Sequence, residues 1–189
     1  MTIFRNIKRQ GFTLAEIMVS VAIIAIFSSM SIALFYSYRK TGELNMAAYK
    51  LISDIRKAQE YALGLKELNP TDGFPLGGWG VFFDKSNPAK NKYTIFADLD
   101  NDKIMDAGES SSEIYIQSNI VIQNINMDEA VMPGNRVYAT FLPPDPTVSL
   151  CRNGSLCATT NIEIKLSQDG TSVVGVKINK NGLAEIINY

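Results

Sequence analysis

The hydrophobic and polar positions along the chain divide it into three stretches. Residues 12–35 are almost continuously apolar, and Glu16 is the one charge among them. In residues 36–66 the apolar positions recur at steps of three and four, and from 67 onward short apolar runs alternate with polar residues and turn signals. A period near 3.6 predicts helix in the first two stretches, and a period of 2 predicts strands in the third.

The apolar stretch 12–35 is long enough to cross a bilayer, which takes about 20 apolar residues. A short basic leader, residues 1–11, precedes it and has no apolar core of its own. The charges on the two sides of the span favour a cytoplasmic N-terminus only weakly. A cleaved secretory signal stays an alternative, because small residues in 28–33 resemble a cleavage site.

The stretch 36–66 predicts the amphipathic half of one helix that runs over about 13–66, with Gly42 as its weakest point. Its apolar stripe, which can pack on the chain's own strands, consists of Leu44, Ala48, Leu51, Ile55, Ala58, Ala62 and Leu65. The face predicted to be solvated carries Glu43, Lys50, Asp54, Arg56, Lys57, Glu60 and Lys66.

Residues 67–189 predict a strand-rich domain without internal repeats. The predicted strands are 81–83, 93–96, 114–116, 120–122, 136–142, 162–166, 172–178 and 183–187. Asp-Gly and Asn-Gly turns join the last three, which should form a meander. The prolines of 143–146 predict a rigid surface connection. The fold class is therefore α+β, with a long N-terminal helix packed against a C-terminal antiparallel β domain.

The string GFTLAEIMV at 11–19, after a short basic leader, resembles the N-terminal signature of type IV pilins and type II secretion pseudopilins. The resemblance implies that a prepilin peptidase cuts after Gly11 and that the new amino terminus, Phe12, is methylated. It also implies that Glu16 pairs with the terminal amine of a neighbouring subunit. A carboxylate and an ammonium in an apolar bundle are each costly alone and much less so when paired. The alternative is that Glu16 snorkels to the membrane interface.

Several weaker motifs are similar to the FimT/GspH-like group of minor pilins and minor pseudopilins. They are the run at 78–84, the acidic stretch after residue 97 and the Asp-Gly-Thr-Ser turn at 169–172. Major pilins often carry a proline within the span, and residues 12–35 have none, which favours a minor component.

The resemblance also implies partners and a location. The partners would be the prepilin peptidase, other pilins or pseudopilins and the inner-membrane assembly platform. The chain would cross the inner membrane once, with its C-terminal domain outside the cytoplasm, before it joins a type IV pilus or type II secretion pseudopilus.

Composition favours a structural subunit and not an enzyme. The chain has no histidine, the commonest general base and metal ligand, and no nucleophile–base set is visible. A net charge of -1 gives no general attraction for nucleic acid. One alternative is a DNA-binding minor pilin that would use Lys85, Lys90, Lys92, Lys177 and Lys180. The other is an unprocessed single-span envelope protein.

Residues 98–109 have the acid spacing of an EF-hand loop. The predicted calcium ligands are Asp98, Asp100, Asp102, the carbonyl of Ile104, Asp106 and Glu109. Lys103 stands at the sixth place, where an EF-hand has glycine, and the flanks predict strands instead of helices. No cofactor is required; a bound calcium would be structural. The alternative is a solvated acidic turn.

The two cysteines, Cys151 and Cys157, are separated by a short segment that contains Asn-Gly. They predict a local disulfide if the domain lies in an oxidising compartment. The alternative is two free thiols, since two ligands alone make no zinc site.

Overall fold

The computed structural model describes residues 11–86, 91–128, 130–131, 136–143, 148–152, 157 and 159–189. The leader before Gly11, Lys90, most of the 143–146 connection and the Asn153–Gly154 turn lie outside these residues. The chain divides into two compact units, with the boundary between Arg39 and Lys40.

One helix, α1 (Leu14–Leu63), confirms the predicted long helix, with its end three residues earlier than expected. Thr13 caps its start, because the Thr13 hydroxyl accepts the backbone N–H of Glu16 at 3.3 Å. The helix stops where Leu65 adopts a φ of 49°, a left-handed conformation that cannot continue the helical ladder.

In the first unit, almost every described side chain of the apolar half of α1 is exposed. By length and composition the helix can cross a membrane. Three serines of this half form hydrogen bonds within the helix. The hydroxyls of Ser20, Ser29 and Ser31 donate to the backbone carbonyls of Glu16, Ile26 and Phe27, respectively, at 2.7 to 2.9 Å. These hydroxyls are therefore satisfied within the helix, as an apolar surrounding requires.

The second unit contains two five-stranded antiparallel sheets. The strands are β1 (Gly78–Asp84), β2 (Lys92–Asp98), β3 (Ser110–Tyr115), β4 (Val121–Met127), β5 (Ala130–Val131), β6 (Arg136–Phe141), β7 (Val148–Arg152), β8 (Asn161–Gln168), β9 (Ser172–Asn179) and β10 (Ala184–Asn188). The first sheet has the order β3-β2-β1-β6-β7 and the second β10-β9-β8-β4-β5.

The C-terminal meander is confirmed, since β9 pairs antiparallel with both β8 and β10. At the turn between β8 and β9, Asp169 and Gly170 both have positive φ, at 55° and 71°. Two positive values are what a type I′ hairpin turn requires. The short strands β5 and β7 were not predicted; β7 follows the proline-rich connection and offers only five residues of pattern.

The predicted apolar stripe of α1 joins both sheets in one continuous core. Its buried helical members are Leu44, Ala48, Leu51, Ile52, Ile55, Ala58 and Ala62. The prediction was wrong for Leu65, which is exposed because it lies beyond the end of the helix. It was also wrong for Asp54, which is buried and accepts hydrogen bonds from the Tyr93 hydroxyl and the Lys50 ammonium.

Trp79 in β1 closes the core near the C-terminal end of α1. Its side chain is buried, and its indole N–H donates to the Lys66 carbonyl at 2.8 Å. The ring of Tyr61 packs edge-on against it, with centroids 4.9 Å apart. The end of the helix is thereby fastened to the first strand.

One face of the first sheet packs in the main core, and a second, smaller apolar cluster covers its opposite face. Its members are Phe96, Tyr138 and Cys151, with Phe82, Ile104 and Met105 packed against them. A Cβ at Gly80 would meet the Phe96 ring at 2.7 Å and the Thr140 methyl at 2.8 Å. The missing side chain at Gly80 therefore makes room for this cluster.

Candidate functional site

The predicted cleavage position lies just outside the helix. Gly11 and Phe12 precede the capping residue Thr13, and both are exposed. A Cβ at Gly11 would have no neighbour within 4 Å among the described residues. The Gly11–Phe12 peptide bond is therefore in an accessible segment next to the first turn of α1.

Glu16 occupies the first turn of α1, which is a favourable position for a carboxylate next to the helix N-terminus. Its backbone N–H bonds to Thr13, whereas its carboxylate has no hydrogen bond or ion pair among the residues that the structure describes. The side chain is exposed and is surrounded along α1 by apolar residues such as Ile17 and Val19. The geometry leaves this carboxylate available to a cation from outside the described chain.

The acidic loop connects two adjacent antiparallel strands, β2 and β3, as the sequence predicted. One carboxylate oxygen from each of Asp98, Asp100 and Asp102 comes within 4.8 Å of the others. Asp98 is the last residue of β2, while Asp100 and Asp102 are exposed on the loop. The structure thus brings together three of the six predicted ligands.

Asp98 is the buried member of this group. Its side chain is 0% exposed, and its Oδ1 has no hydrogen-bond partner among the described residues. Its Oδ2 accepts the Lys103 backbone N–H at 3.2 Å and lies 3.6 Å from the Lys103 ammonium. Burial raises the pKa of the Asp98 carboxyl, and the Lys103 ammonium opposes that rise.

Gly77 makes space for the Asp98 carboxylate. A Cβ at Gly77 would lie 1.9 Å from Asp98 Oδ2 and 2.6 Å from Oδ1. The Gly77 backbone N–H also donates to the Asp98 carbonyl at 2.8 Å. Sequence reasoning did not include Gly77 in the site, although the two consecutive glycines at the start of β1, Gly77 and Gly78, were a signal for close backbone approach.

Lys103, at the sixth place, has a φ of 68°. This is the left-handed conformation for which glycine is preferred at the sharp turn of an EF-hand loop. Lys103 therefore adopts the backbone conformation of the EF-hand glycine, although a lysine at the sixth place counted against such a loop in the sequence. The neighbouring Asn101 also has a positive φ, of 67°, and its side-chain oxygen accepts from the Lys103 ammonium.

The other two predicted carboxylate ligands, Asp106 and Glu109, lie outside the group of three. Glu109 is buried and bridges the loop ends, because its Oε1 accepts the Leu99 N–H at 2.8 Å and its Oε2 accepts the Asp106 N–H at 2.9 Å. Burial raises the pKa of the Glu109 carboxyl, and these two amides oppose the rise. The backbone N–H of Ile104 donates to Asp102 Oδ1 at 2.7 Å. These bonds hold the loop in a folded shape around the three aspartates.

Cys151 and Cys157 are joined by a disulfide. Cys151 is fully buried in the second apolar cluster, on strand β7. The bond therefore links Cys157 to the face of the first sheet that carries Cys151.

Two of the lysines named for the DNA-binding alternative, Lys92 and Lys177, stand next to acidic residues. Lys92 forms an ion pair with Glu113 on the adjacent strand. Lys177 stands opposite Glu163 on one side and Glu185 on the other. Alternating charges of this kind give no continuous basic stripe across these strands.

Comparison with known proteins gives one family match, over part of the chain. Residues 6–32 match the prokaryotic N-terminal methylation motif, and this range contains Gly11, Phe12 and Glu16. A comparison with curated proteins gave no match. Among solved structures, the chain is similar to the structure of the minor pseudopilin EpsH from the Type 2 Secretion System of Vibrio cholerae. The identity is 11%, the TM-score is 0.42, and the likeness covers 77% of this chain and 97% of that one.

Proposed function

We propose that this chain, which begins with a prepilin-type methylation motif, is a minor pilin or pseudopilin. It is a structural subunit that is cleaved after Gly11, methylated on Phe12 and built into a filament through Glu16. The observation that carries the proposal is the Glu16 carboxylate, which is exposed on an apolar helix and has no partner among the described residues.

The energetics of Glu16 support a partner in the membrane. A carboxylate within a membrane-spanning helix is costly, by about 2.5 kcal/mol or more at the helix centre, and a paired cation reduces that cost. Cleavage after Gly11 creates a new ammonium group at Phe12. The ammonium of a neighbouring copy, or of a related subunit, has the charge and the membrane depth to pair with Glu16. This contact would set the axial register of adjacent helices.

The proposed topology is a single span of the inner membrane with the second unit outside the cytoplasm. The Cys151–Cys157 disulfide supports this side, because disulfides persist in oxidising compartments. The subunit would meet the prepilin peptidase and the assembly platform at the membrane and other pilins in the filament. The span without proline supports a role as a minor component at the start or tip of a filament.

Processing is tested by the intact mass of the full chain extracted from membranes of cells with and without a prepilin peptidase. With the peptidase, the mass should equal a chain that begins with N-methylated Phe12. Gly11→Leu should keep the full-length mass because a bulky side chain replaces glycine at the cut. An intact Met1 leader on the wild-type chain in the presence of the peptidase would instead identify an unprocessed envelope protein.

Assembly is tested by the amounts of variant chain in the membrane and in the sheared filament fraction. Glu16→Ala and Glu16→Gln should insert normally but lose incorporation, since neither has the negative charge that forms an ion pair with an ammonium. Ser20→Ala, one turn further along α1, is the matched control and should behave as wild type. Normal incorporation of Glu16→Gln would exclude the charge pair.

A further inference from the structure

We propose that the acidic loop binds one calcium ion, with the carboxylates of Asp98, Asp100 and Asp102 as its protein ligands. The site would be structural and would lie in the second unit. It is independent of the proposed role of Glu16, because the two involve different residues and different experiments.

The buried carboxylate of Asp98 carries this proposal. It is 0% exposed, yet its Oδ1 has no hydrogen-bond donor among the described residues. A buried carboxylate oxygen without a partner is costly, and such groups are normally paired or coordinate a metal. One carboxylate oxygen of Asp98 belongs to the same group as oxygens of Asp100 and Asp102. An ion that is bound by this group and reaches Oδ1 would supply the missing interaction.

The space around Asp98 is built to hold its carboxylate in place. Gly77 leaves the volume that any Cβ would fill, at 1.9 Å from Oδ2. On the other side, Lys103 holds Oδ2 through its backbone N–H. Because Oδ2 is held in this way, the orientation of the whole carboxylate is fixed, while Oδ1 has no hydrogen-bond donor among the described residues.

The charge of the loop favours a cation. Residues 98–109 contain five carboxylates and one lysine, a net charge of -4. The Lys103 ammonium lies 3.6 Å from Asp98 Oδ2 and is shared with Asn101, so it neutralises only part of this charge. A divalent ion would relieve the repulsion among the remaining carboxylates.

The ligand chemistry and spacing select calcium. The group offers only oxygen, which hard cations prefer, and calcium takes six to eight oxygens at about 2.3–2.6 Å. Oxygens on opposite sides of such an ion are therefore roughly 4.8 Å apart. The three aspartate oxygens lie within 4.8 Å of one another, so one calcium ion can reach all of them. Water and the Ile104 carbonyl can complete the shell.

Calcium would act on the fold through Ile104 and Met105, which follow Asp102 and Lys103 in the loop. Ile104 and Met105 pack against the cluster of Phe96, Tyr138 and Cys151. Because Asp102 Oδ1 accepts the Ile104 N–H, an ion that fixes Asp102 also fixes this packing. Calcium should therefore stabilise the loop against the outer face of the first sheet.

The test is calcium titration of the full chain in detergent after treatment with a chelator, by calorimetry and by thermal unfolding. One saturable site should appear, with a higher unfolding temperature in calcium. Magnesium should bind more weakly, because it demands nearly ideal octahedral geometry. The absence of both a saturable heat and a shift in unfolding temperature would overturn the proposal.

Exposed ligands provide variants that keep the fold. Asp100→Asn and Asp102→Asn should weaken calcium binding tenfold or more, whereas Asp72→Asn, an exposed aspartate in another loop, should not change it. Lys103→Gly should tighten binding several-fold, since it removes the competing ammonium and suits a φ of 68°. Wild-type affinity in both Asp100→Asn and Asp102→Asn would reject these ligands.

Discussion

The hydroxyl of Tyr93 donates a 2.5 Å hydrogen bond to Oδ2 of Asp54, and both side chains are buried. The bond joins α1 to the second strand of the first sheet. Lys50, one turn earlier on the helix, donates to the other oxygen of Asp54 at 2.8 Å. A charged side chain is thereby accommodated at the edge of an apolar interface, where a polar residue without partners would be destabilising.

Tyr93→Phe should lower the free energy of unfolding by about 1.5–3 kcal/mol, the usual range for a hydrogen bond to a charged group. The loss leaves one oxygen of a buried carboxylate without its donor. Chemical denaturation of the full chain in detergent measures the change. A double-mutant cycle with Asp54→Ala should give a coupling energy of the same order. Additive effects of the two substitutions would mean that the pair does not act as a unit.

Stability should fall at alkaline pH. Burial, and then the Asp54 carboxylate, raise the pKa of Tyr93 well above its ordinary value. The unfolded chain releases the phenol proton near pH 10, while the folded chain retains it, so stability is complete below about pH 10 and is lost above it. Unfolding temperatures between about pH 9 and 11 should decrease less steeply in Tyr93→Phe than in wild type. Equal slopes would contradict this source of the pH dependence.

Two glycine-to-alanine substitutions should have opposite effects. Gly80→Ala places a methyl group against the Phe96 ring and should destabilise by about 1–3 kcal/mol through overpacking. Gly42→Ala lies in the interior of α1, where an added Cβ has no neighbour within 4 Å among the described residues, and it should stabilise by about 0.5–1 kcal/mol. Thermal unfolding compares the two. Stabilisation by Gly80→Ala would mean that the second cluster can shift to accept the methyl group.

Loss of the disulfide should destabilise the second unit. For a loop closed across a separation of six residues, the chain-entropy model gives about 2 kcal/mol. Cys157→Ser, the exposed partner, should therefore lower the unfolding temperature, and a reducing agent should lower wild type to the same level. The reductant should not affect Cys157→Ser. If the unfolding temperature of wild type does not change in the reductant and no thiol becomes accessible, the disulfide has not been reduced. Equal unfolding temperatures of Cys157→Ser and wild type would contradict the expected loss of stability.

Local patterns accounted for the elements with strong periodicity. The stripe from Leu44 to Ala62 is regular enough to define both the helix and its buried face. The turn at Asp169–Gly170 has a specific backbone requirement, so the meander could be predicted with its connections. The pairing of β1 with β6, by contrast, joins residues that are far apart in sequence, and no local pattern specifies that partner.

Residues whose environment depends on distant partners were predicted less well. Asp54 resembles any solvated acid on the polar side of a helix until Tyr93 is placed beside it. In the acidic loop, the spacing gave the three clustered aspartates, but it could not reveal that Gly77 leaves room for one of them. The same spacing predicts Glu109 as a ligand, but it could not reveal that the Glu109 oxygens accept hydrogen bonds from two backbone amides of the loop.

Trp79 is the single tryptophan of the chain, and this makes it an intrinsic optical probe. Its buried indole, bonded to the Lys66 carbonyl, should emit at shorter wavelength than a hydrated indole. A red shift would therefore signal separation of the C-terminal end of α1 from β1. Because no other tryptophan of the chain contributes, the emission of the purified, unlabelled subunit can be followed during its unfolding and refolding in detergent.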